Sequence, residues 1–182
     1  MAEPAPCTFL DRDGTLIADR NYLSDPARAV LLPGVVEGLK ALMNQGFRLI
    51  VISNQSVIGR GYFTEADAHS VNVRVDAMLR QQGVEIAAWY ICPHAPDQAC
   101  RCRKPLPGMI DRACEDFKID LSHSIMIGDK DVDLQLARRR GLRGYLVAGG
   151  DTSAHVDWAK SNGYGVFDDI AAVARHVTES IY

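Results

Sequence analysis

What this 182-residue sequence lacks narrows it first. No apolar run approaches the ~20 residues that cross a bilayer, and the opening Met1-Ala2-Glu3-Pro4-Ala5-Pro6 has neither the basic region nor the long apolar stretch of a signal peptide. A cytoplasmic protein with no membrane partner is expected. A basic excess is also missing: 20 Lys and Arg against 23 Asp and Glu give a net charge of −3, unlike a domain that grips a phosphate backbone. Nucleic acid is therefore excluded as the expected main partner. There is no internal repeat or low-complexity stretch to suggest an array or a linker. Cysteine is scarce at five residues, but Cys92, Cys100 and Cys102 fall close together while Cys7 and Cys114 stand alone. In a reducing compartment such clustering points to a metal before a disulfide. With 47% hydrophobic and 24% charged residues, the chain can bury one substantial core, so a single domain over 1–182, acting as a monomer, is expected.

Short apolar runs alternate with helical patterns, the mark of βαβ units around a mainly parallel sheet. Cys7 to Asp11 is the first run, and a helix is expected from Pro33, with Val36, Leu39, Leu42 and Met43 on one stripe, ending at Gly46. Phe47 to Ser53 is an almost unbroken apolar run, typical of a strand buried on both faces. Thr64 with Asp67 opens a helix reaching about Gln82. Further strands are expected at Ile86 to Cys92, Ser124 to Gly128, Arg143 to Val147 and Tyr164 to Phe167, and helices near 108–117, 130–140, 154–162 and 168–178. The long connections Gly14 to Leu32 and Pro93 to Pro107 are of the kind that carry function. Asp11, Ser53, Cys92 and Asp129 end apolar runs, which places them at the carboxyl edge of a parallel sheet, where open α/β folds bind ligands.

Two acidic clusters meet at that edge. Phe9-Leu10-Asp11-Arg12-Asp13-Gly14-Thr15 carries two carboxylates into a turn, and Gly128-Asp129-Lys130-Asp131-Val132-Asp133 follows another buried strand. The first alone is equally readable as a solvated turn. If the two strands are neighbours, however, the converging carboxylates require a hard divalent cation, for which Mg2+ is the natural choice. Cys92-Pro93-His94 followed by Cys100-Arg101-Cys102 supplies three thiols and an imidazole, a closed Cys3His zinc set of the structural kind. A redox dithiol is the rival reading. Arg103-Lys104 follows directly, so a stiffened loop would present two cations to an anion.

Together these motifs resemble the haloacid dehalogenase (HAD) superfamily of aspartate-nucleophile phosphotransferases: Asp11-Arg12-Asp13-Gly14-Thr15, Ser53-Asn54-Gln55, Lys104, and Gly128-Asp129 with Asp133 match its four motifs in order. The resemblance implies a Rossmannoid three-layer α/β sandwich with strand order 3-2-1-4-5, no large cap domain, and a small zinc loop, 92–102, inserted after the third strand. It implies that Asp11 is the nucleophile and Asp13 the acid and base, and that Ser53 and Lys104 hold the phosphoryl oxygens. Asp11, Asp129 and the Asp13 carbonyl would hold Mg2+, and Cys92, His94, Cys100 and Cys102 would hold Zn2+. The zinc loop, Asp19-Arg20-Asn21-Tyr22, Ser53-Asn54-Gln55-Ser56, the segment ending at Arg60, and Cys102-Arg103-Lys104-Pro105 are similar to those of the heptose-bisphosphate and histidinol-phosphate phosphatase group. Implied substrate contacts are Arg12, Asp19, Arg20, Asn21, Tyr22, Ser53, Asn54, Gln55, Ser56, Arg60, Arg103, Lys104 and Lys130. A heptose bisphosphate losing its 7-phosphate is the implied substrate, with histidinol phosphate the alternative.

A phospho-accepting receiver domain would share the acids and Mg2+ but needs neither the second carboxylate of Asp-x-Asp nor a zinc loop. A zinc-organised nucleic-acid module is opposed by the net charge. Arg138-Arg139-Arg140 closes a helix before Gly141, where cations suit the helix dipole. His69, His123, His155 and His176 show no acidic or cysteine partner at ligand spacing, Trp89 and Trp158 read as packing residues, and Cys7 as a small buried hydrophobe.

Overall fold

A computed structural model describes residues 3–20, 23–148 and 153–180. Six strands form one parallel sheet: β1 (Ala5–Leu10), β2 (Arg48–Asn54), β3 (Ala88–Cys92), β4 (Ile119–Gly128), β5 (Arg143–Val147) and β6 (Gly165–Phe167). Their spatial order is β3-β2-β1-β4-β5-β6. The chain steps outward from β1 to β3 and then crosses back to β4, so the switch point lies between β1 and β4, as the acidic clusters require. The expected five-strand order is present, with β6 added beside β5.

The pleat divides the core. On β2, Leu49 and Val51 join one cluster with Leu39 and Leu42 of α1 (Val35–Asn44), Val71, Val75 and Leu79 of α3 (Glu65–Gln81), and Val173 and Val177 of α7 (Ile170–Glu179). Ile50 and Ile52 point the other way, with Met109 and Ile110 of α4 (Gly108–Asp116) and Leu136 of α5 (Asp131–Arg139). Alternate residues of one apolar strand thus feed two helical layers, each large side chain contributing about 1.5–3 kcal/mol by leaving water. α6 (Ser153–Ser161) adds Ala159 to a smaller cluster with Leu134 and Leu146. Among the described residues no helix is long and apolar enough to cross a membrane.

Local chemistry explains the element ends. The Thr64 hydroxyl accepts from the Asp67 N–H at 3.2 Å while Asp67 Oδ2 accepts from the Thr64 N–H at 2.7 Å, the reciprocal box expected there. The helix expected from Pro33 instead starts at Val35, because Gly34 turns at φ 75°. A Cβ there would lie 2.6 Å from the Asp169 carboxyl carbon, and Asp169 caps α7, so this glycine lets the ends of α1 and α7 meet. β4 starts five residues earlier than expected, at Ile119, and its register against β1 shifts between Pro6 and Thr8.

At the carboxyl edge stand the two long connections and the short α2 (Ser56–Gly59). The first connection doubles back on itself: the Ala18 N–H donates to the Val30 carbonyl and the Leu32 N–H to Leu16, forming a small flap. Asn21 and Tyr22 lie outside the described residues.

Candidate active site

β1 and β4 deliver their terminal carboxylates to one point. Oxygens of Asp11, Asp129 and Asp133 lie within 4.8 Å of one another, and all three side chains are buried. Gly14 makes this approach possible: at φ 82° it carries no side chain, and a Cβ there would stand 2.2 Å from Asp129 Oδ2. Gly128 does the same for Asp133, whose Oδ2 would meet a Cβ at 2.2 Å.

Lys104 supplies the counter-charge. It is 2% exposed, with Nζ 2.9 Å from Asp11 Oδ1 and 2.7 Å from Asp133 Oδ1. Burial opposes the charge on Asp11, but Lys104, Lys130 and the Arg12 N–H together hold its pKa below the usual carboxylate range. Asp133 is pushed up to about 6 by burial, with Lys104 pulling the other way. Asp129 is pushed up to about 8 by burial and then by the Asp11 charge, and its Oδ1 is buried with no hydrogen-bond partner among the described residues. Asp133 is committed to Lys104 through Oδ1 and to the Lys130 N–H through Oδ2, at 3.2 Å. Asp129 keeps its Oδ1 uncommitted beside the Asp11 carboxylate, and an all-oxygen donor set of this kind fits a hard divalent cation.

Above these acids lies a cavity of about 230 Å3 lined by Arg12, Asp13, Asp19, Leu23, Asn54, Gln55, Ser56, Val57 and Lys130. A single amide organises its floor. Gln55 Nε2 donates to both Asp13 Oδ2 and Ser53 Oγ, each at 2.8 Å. The Ser53 hydroxyl therefore accepts, and its own proton remains to be donated. Asn54 clamps the Lys104 backbone in both directions: the Lys104 N–H donates to its Oδ1 at 2.9 Å and its Nδ2 donates to the Lys104 carbonyl at 3.1 Å. Lys130 Nζ lies 3.4 Å from Asp19 on the flap and 3.8 Å from Asp129.

The cysteine cluster assembles beside this site. Cys92 and Cys102 Sγ are 3.0 Å apart, Cys92 and Cys100 3.8 Å, and His94 Nδ1 is 3.5 and 3.3 Å from the Cys92 and Cys102 sulfurs. The cysteines are free thiols, and all four ligand atoms lie within 4.8 Å of one another, as four donors around one tetrahedral ion require. The cluster could hold zinc. Its loop is tied to the active site, since the Gln55 N–H donates to the Cys92 carbonyl and the Gly59 N–H to Pro93, both at 2.8 Å.

Of the residues expected to contact substrate, Arg12, Asp19, Asn54, Gln55, Ser56 and Lys130 border the cavity, with Ser53 and Lys104 buried near it. Arg12, however, is 1% exposed and its guanidinium faces Asp13 and Asn72. Arg103 donates through Nη1 to the His94 carbonyl at 3.3 Å, and Arg20 and Arg60 are exposed and do not line the cavity. Two histidines read as lacking acidic partners have them: His123 Nδ1 is 2.7 Å from Asp120 and His155 Nδ1 is 3.1 Å from Asp131. The second pair joins α6 to α5, a contact that no local spacing announces. Asn72 was not anticipated in the site; its signal is a lone amide on the buried stripe Ala68, Val71, Val75 and Leu79 of α3.

Comparison with known proteins agrees with this geometry. The HAD-hydrolase-like family profile matches residues 101–173. D-glycero-beta-D-manno-heptose-1,7-bisphosphate 7-phosphatase of Yersinia pestis is 40% identical over 144 residues, covering 75% of this chain and 77% of its own. The protein of the same name from Escherichia coli K12 is 40% identical over 144 residues, covering 75% of each chain. Among solved structures, D,D-heptose 1,7-bisphosphate phosphatase from B. bronchiseptica, complexed with magnesium and phosphate, superposes with a TM-score of 0.87 at 31% identity, covering 96% of this chain and 99% of that one. The corresponding Burkholderia thailandensis structure gives a TM-score of 0.70 at 28% identity, covering 95% and 98%.

Proposed function

The chain belongs to the HAD-like hydrolases, in the family that includes the D-glycero-D-manno-heptose-1,7-bisphosphate 7-phosphatases, and from that membership we propose that it hydrolyses the 7-phosphate of this heptose bisphosphate through an aspartyl phosphate on Asp11. The observation that carries the reading is the cluster of three buried carboxylates around Lys104, opening on a small polar cavity that Asp13 borders. The reading includes one catalytic domain over 1–182, a monomer in the cytoplasm, with neither nucleic acid nor membrane as partner.

Asp11, Asp129 and the Asp13 carbonyl are the proposed Mg2+ ligands, with Asp133 holding Lys104 in place. When bound, Mg2+ supplies positive charge that offsets the repulsion between a carboxylate nucleophile and the phosphoryl oxygens. In the first half-reaction Asp11 attacks phosphorus, the bond to the sugar oxygen breaks, and Asp13 gives that oxygen a proton. In the second, Asp13 takes a proton from water as the water oxygen attacks phosphorus and Asp11 departs as a carboxylate. Lys104 Nζ and the Ser53 hydroxyl donate to the phosphoryl oxygens, where charge is spread in the transition state. The flap carrying Asp19 and the cations Lys130 and Arg103 are assigned to the rest of the substrate, together with Arg20, Asn21, Tyr22, Ser56 and Arg60. Zinc held by Cys92, His94, Cys100 and Cys102 would be structural, since these four residues would supply a full set of donors and leave no position for substrate.

Phosphate release measured with Mg2+ present across the heptose bisphosphate, histidinol phosphate and fructose bisphosphate tests the assignment. Preference for the heptose bisphosphate by kcat/KM is expected. Preference for histidinol phosphate would keep the chemistry and replace the substrate.

A further inference from the structure

The Arg12 side chain belongs to the motif that carries the nucleophile, yet it faces away from the three clustered acids. Its Nε donates to Asp13 Oδ2 at 3.1 Å, and Nη2 lies 2.9 Å from the same oxygen and 3.2 Å from Oδ1. The planar fork therefore grips the Asp13 carboxylate along one edge. On its far side, Nη1 donates to Asn72 Oδ1 at 2.8 Å, a bond linking residues 60 positions apart. Asn72 is 6% exposed on the face of α3 otherwise lined by Ala68, Val71, Val75 and Leu79. An amide among apolar side chains is costly unless bonded, and asparagine is a poor helix former, so packing alone gives no reason for it there.

We propose that Asn72 is a positioning residue for catalysis: it orients the Arg12 guanidinium, which in turn fixes the carboxyl plane of Asp13. The contacts also distinguish the two Asp13 oxygens. Oδ2 accepts from Arg12 Nε, Arg12 Nη2 and Gln55 Nε2, whereas among the described residues Oδ1 has only the longer Nη2 contact. Oδ1 is thus the oxygen that handles the proton, giving it to the leaving sugar oxygen and then taking one from water. This inference rests on the assignment of Asp13 as acid and base.

A misaligned acid harms only leaving groups that need a proton. An alkoxide needs one and p-nitrophenolate hardly does, so the two substrate types separate positioning from folding. The holoenzyme is assayed by kcat/KM, which reads the steps through phosphoenzyme formation, on the alkyl phosphate turned over fastest in the screen above and on p-nitrophenyl phosphate. Asn72→Leu keeps the volume and removes the acceptor; it should lose about tenfold or more on the alkyl phosphate, part of the 10²–10⁴ that a positioned acid contributes, and less than about threefold on the aryl phosphate. Asn72→Asp retains the acceptor and should restore the alkyl rate. Should Asn72→Leu not fold, Asn72→Ser, too short to reach the guanidinium, is read by the same ratio. Equal losses on both substrates, no loss on either, or no restoration by Asn72→Asp would overturn the proposal. Asp13→Asn is the control: if it too lacks a selective loss on the alkyl phosphate, the acid-base assignment itself is wrong. A selective loss there without one at Asn72 refutes the positioning role alone.

Discussion

Replacing Lys104 by methionine removes one charge from the centre of the site while keeping the length of the side chain. Lys104 Nζ, itself almost fully buried, sits 2.9 Å from Asp11 and 2.7 Å from Asp133. At an effective dielectric of about 20 each contact has a Coulomb energy of about 6 kcal/mol, much of it offset by the desolvation of both partners. Deleting one member of a buried pair instead costs about 3–5 kcal/mol, because the remaining charge is stranded. For a chain of this size that lowers Tm by about 6–20 °C. The loss should be larger at pH 8 than at pH 5: Asp133, pushed up to about 6, is mostly protonated at the lower pH and then has less charge to strand. Thermal melts of the metal-free protein measure this, and a double variant identifies the cause. Lys104→Met with Asp133→Asn removes the stranded charge and should be more stable than Lys104→Met alone. A fall in Tm below about 2 °C, or a double variant whose loss is the sum of the two single losses, would refute the electrostatic account. Activity should fall about 10²–10³-fold in kcat from loss of a transition-state donor.

Asp129, raised to about 8, gives a metal-free fold that keeps a proton the unfolded chain releases, so its contribution to stability falls as pH rises from the ordinary carboxylate pKa toward 8. Mg2+ must displace that proton, so the Tm increase it produces should be greater at pH 8 than at pH 6, and Asp129→Asn should abolish the difference. Gly14→Ala would strain a φ of 82° and drive a methyl into Asp129, so Mg2+-dependent turnover should fall at least tenfold with the zinc content unchanged, as read by metal analysis. Cys100→Ser should lower Tm and also reduce kcat, because the loop it anchors holds Gln55 through the Cys92 carbonyl and leads into Lys104; unchanged kcat with lost zinc would separate the two sites.

The parallel sheet was legible because its strands are long apolar runs: Phe47 to Ser53 becomes β2 almost residue for residue, and Arg143 to Val147 is β5 as read. The capping residues Thr64 and Asp67 are likewise a local signal with a local outcome. The clustered cysteines and the Asp11 and Asp129 turns could be found because each is a short pattern at or just after a strand end. What escaped depends on distant partners. Gly34 precedes its helix because of Asp169, and the Arg12 guanidinium is drawn to Asn72, which lies on a helix 60 residues later. The family resemblance pointed to Arg12, Asn54 and Gln55 as substrate contacts, but only the three-dimensional contacts show that Asn54 holds a backbone and Gln55 bridges Ser53 to Asp13.

The central claim is that Asp11 carries the phosphoryl group. Asp13→Asn lacks the base that activates water, so mixing it with Mg2+ and p-nitrophenyl phosphate, whose leaving group needs no acid, then quenching in acid and mapping the peptides by mass spectrometry should find one phosphoryl group on the segment containing Asp11. The same experiment on Asp13→Asn combined with Asp11→Asn should find none. A phosphoryl group on any other side chain, or full turnover by Asp11→Asn after deamidation is excluded, would contradict the account.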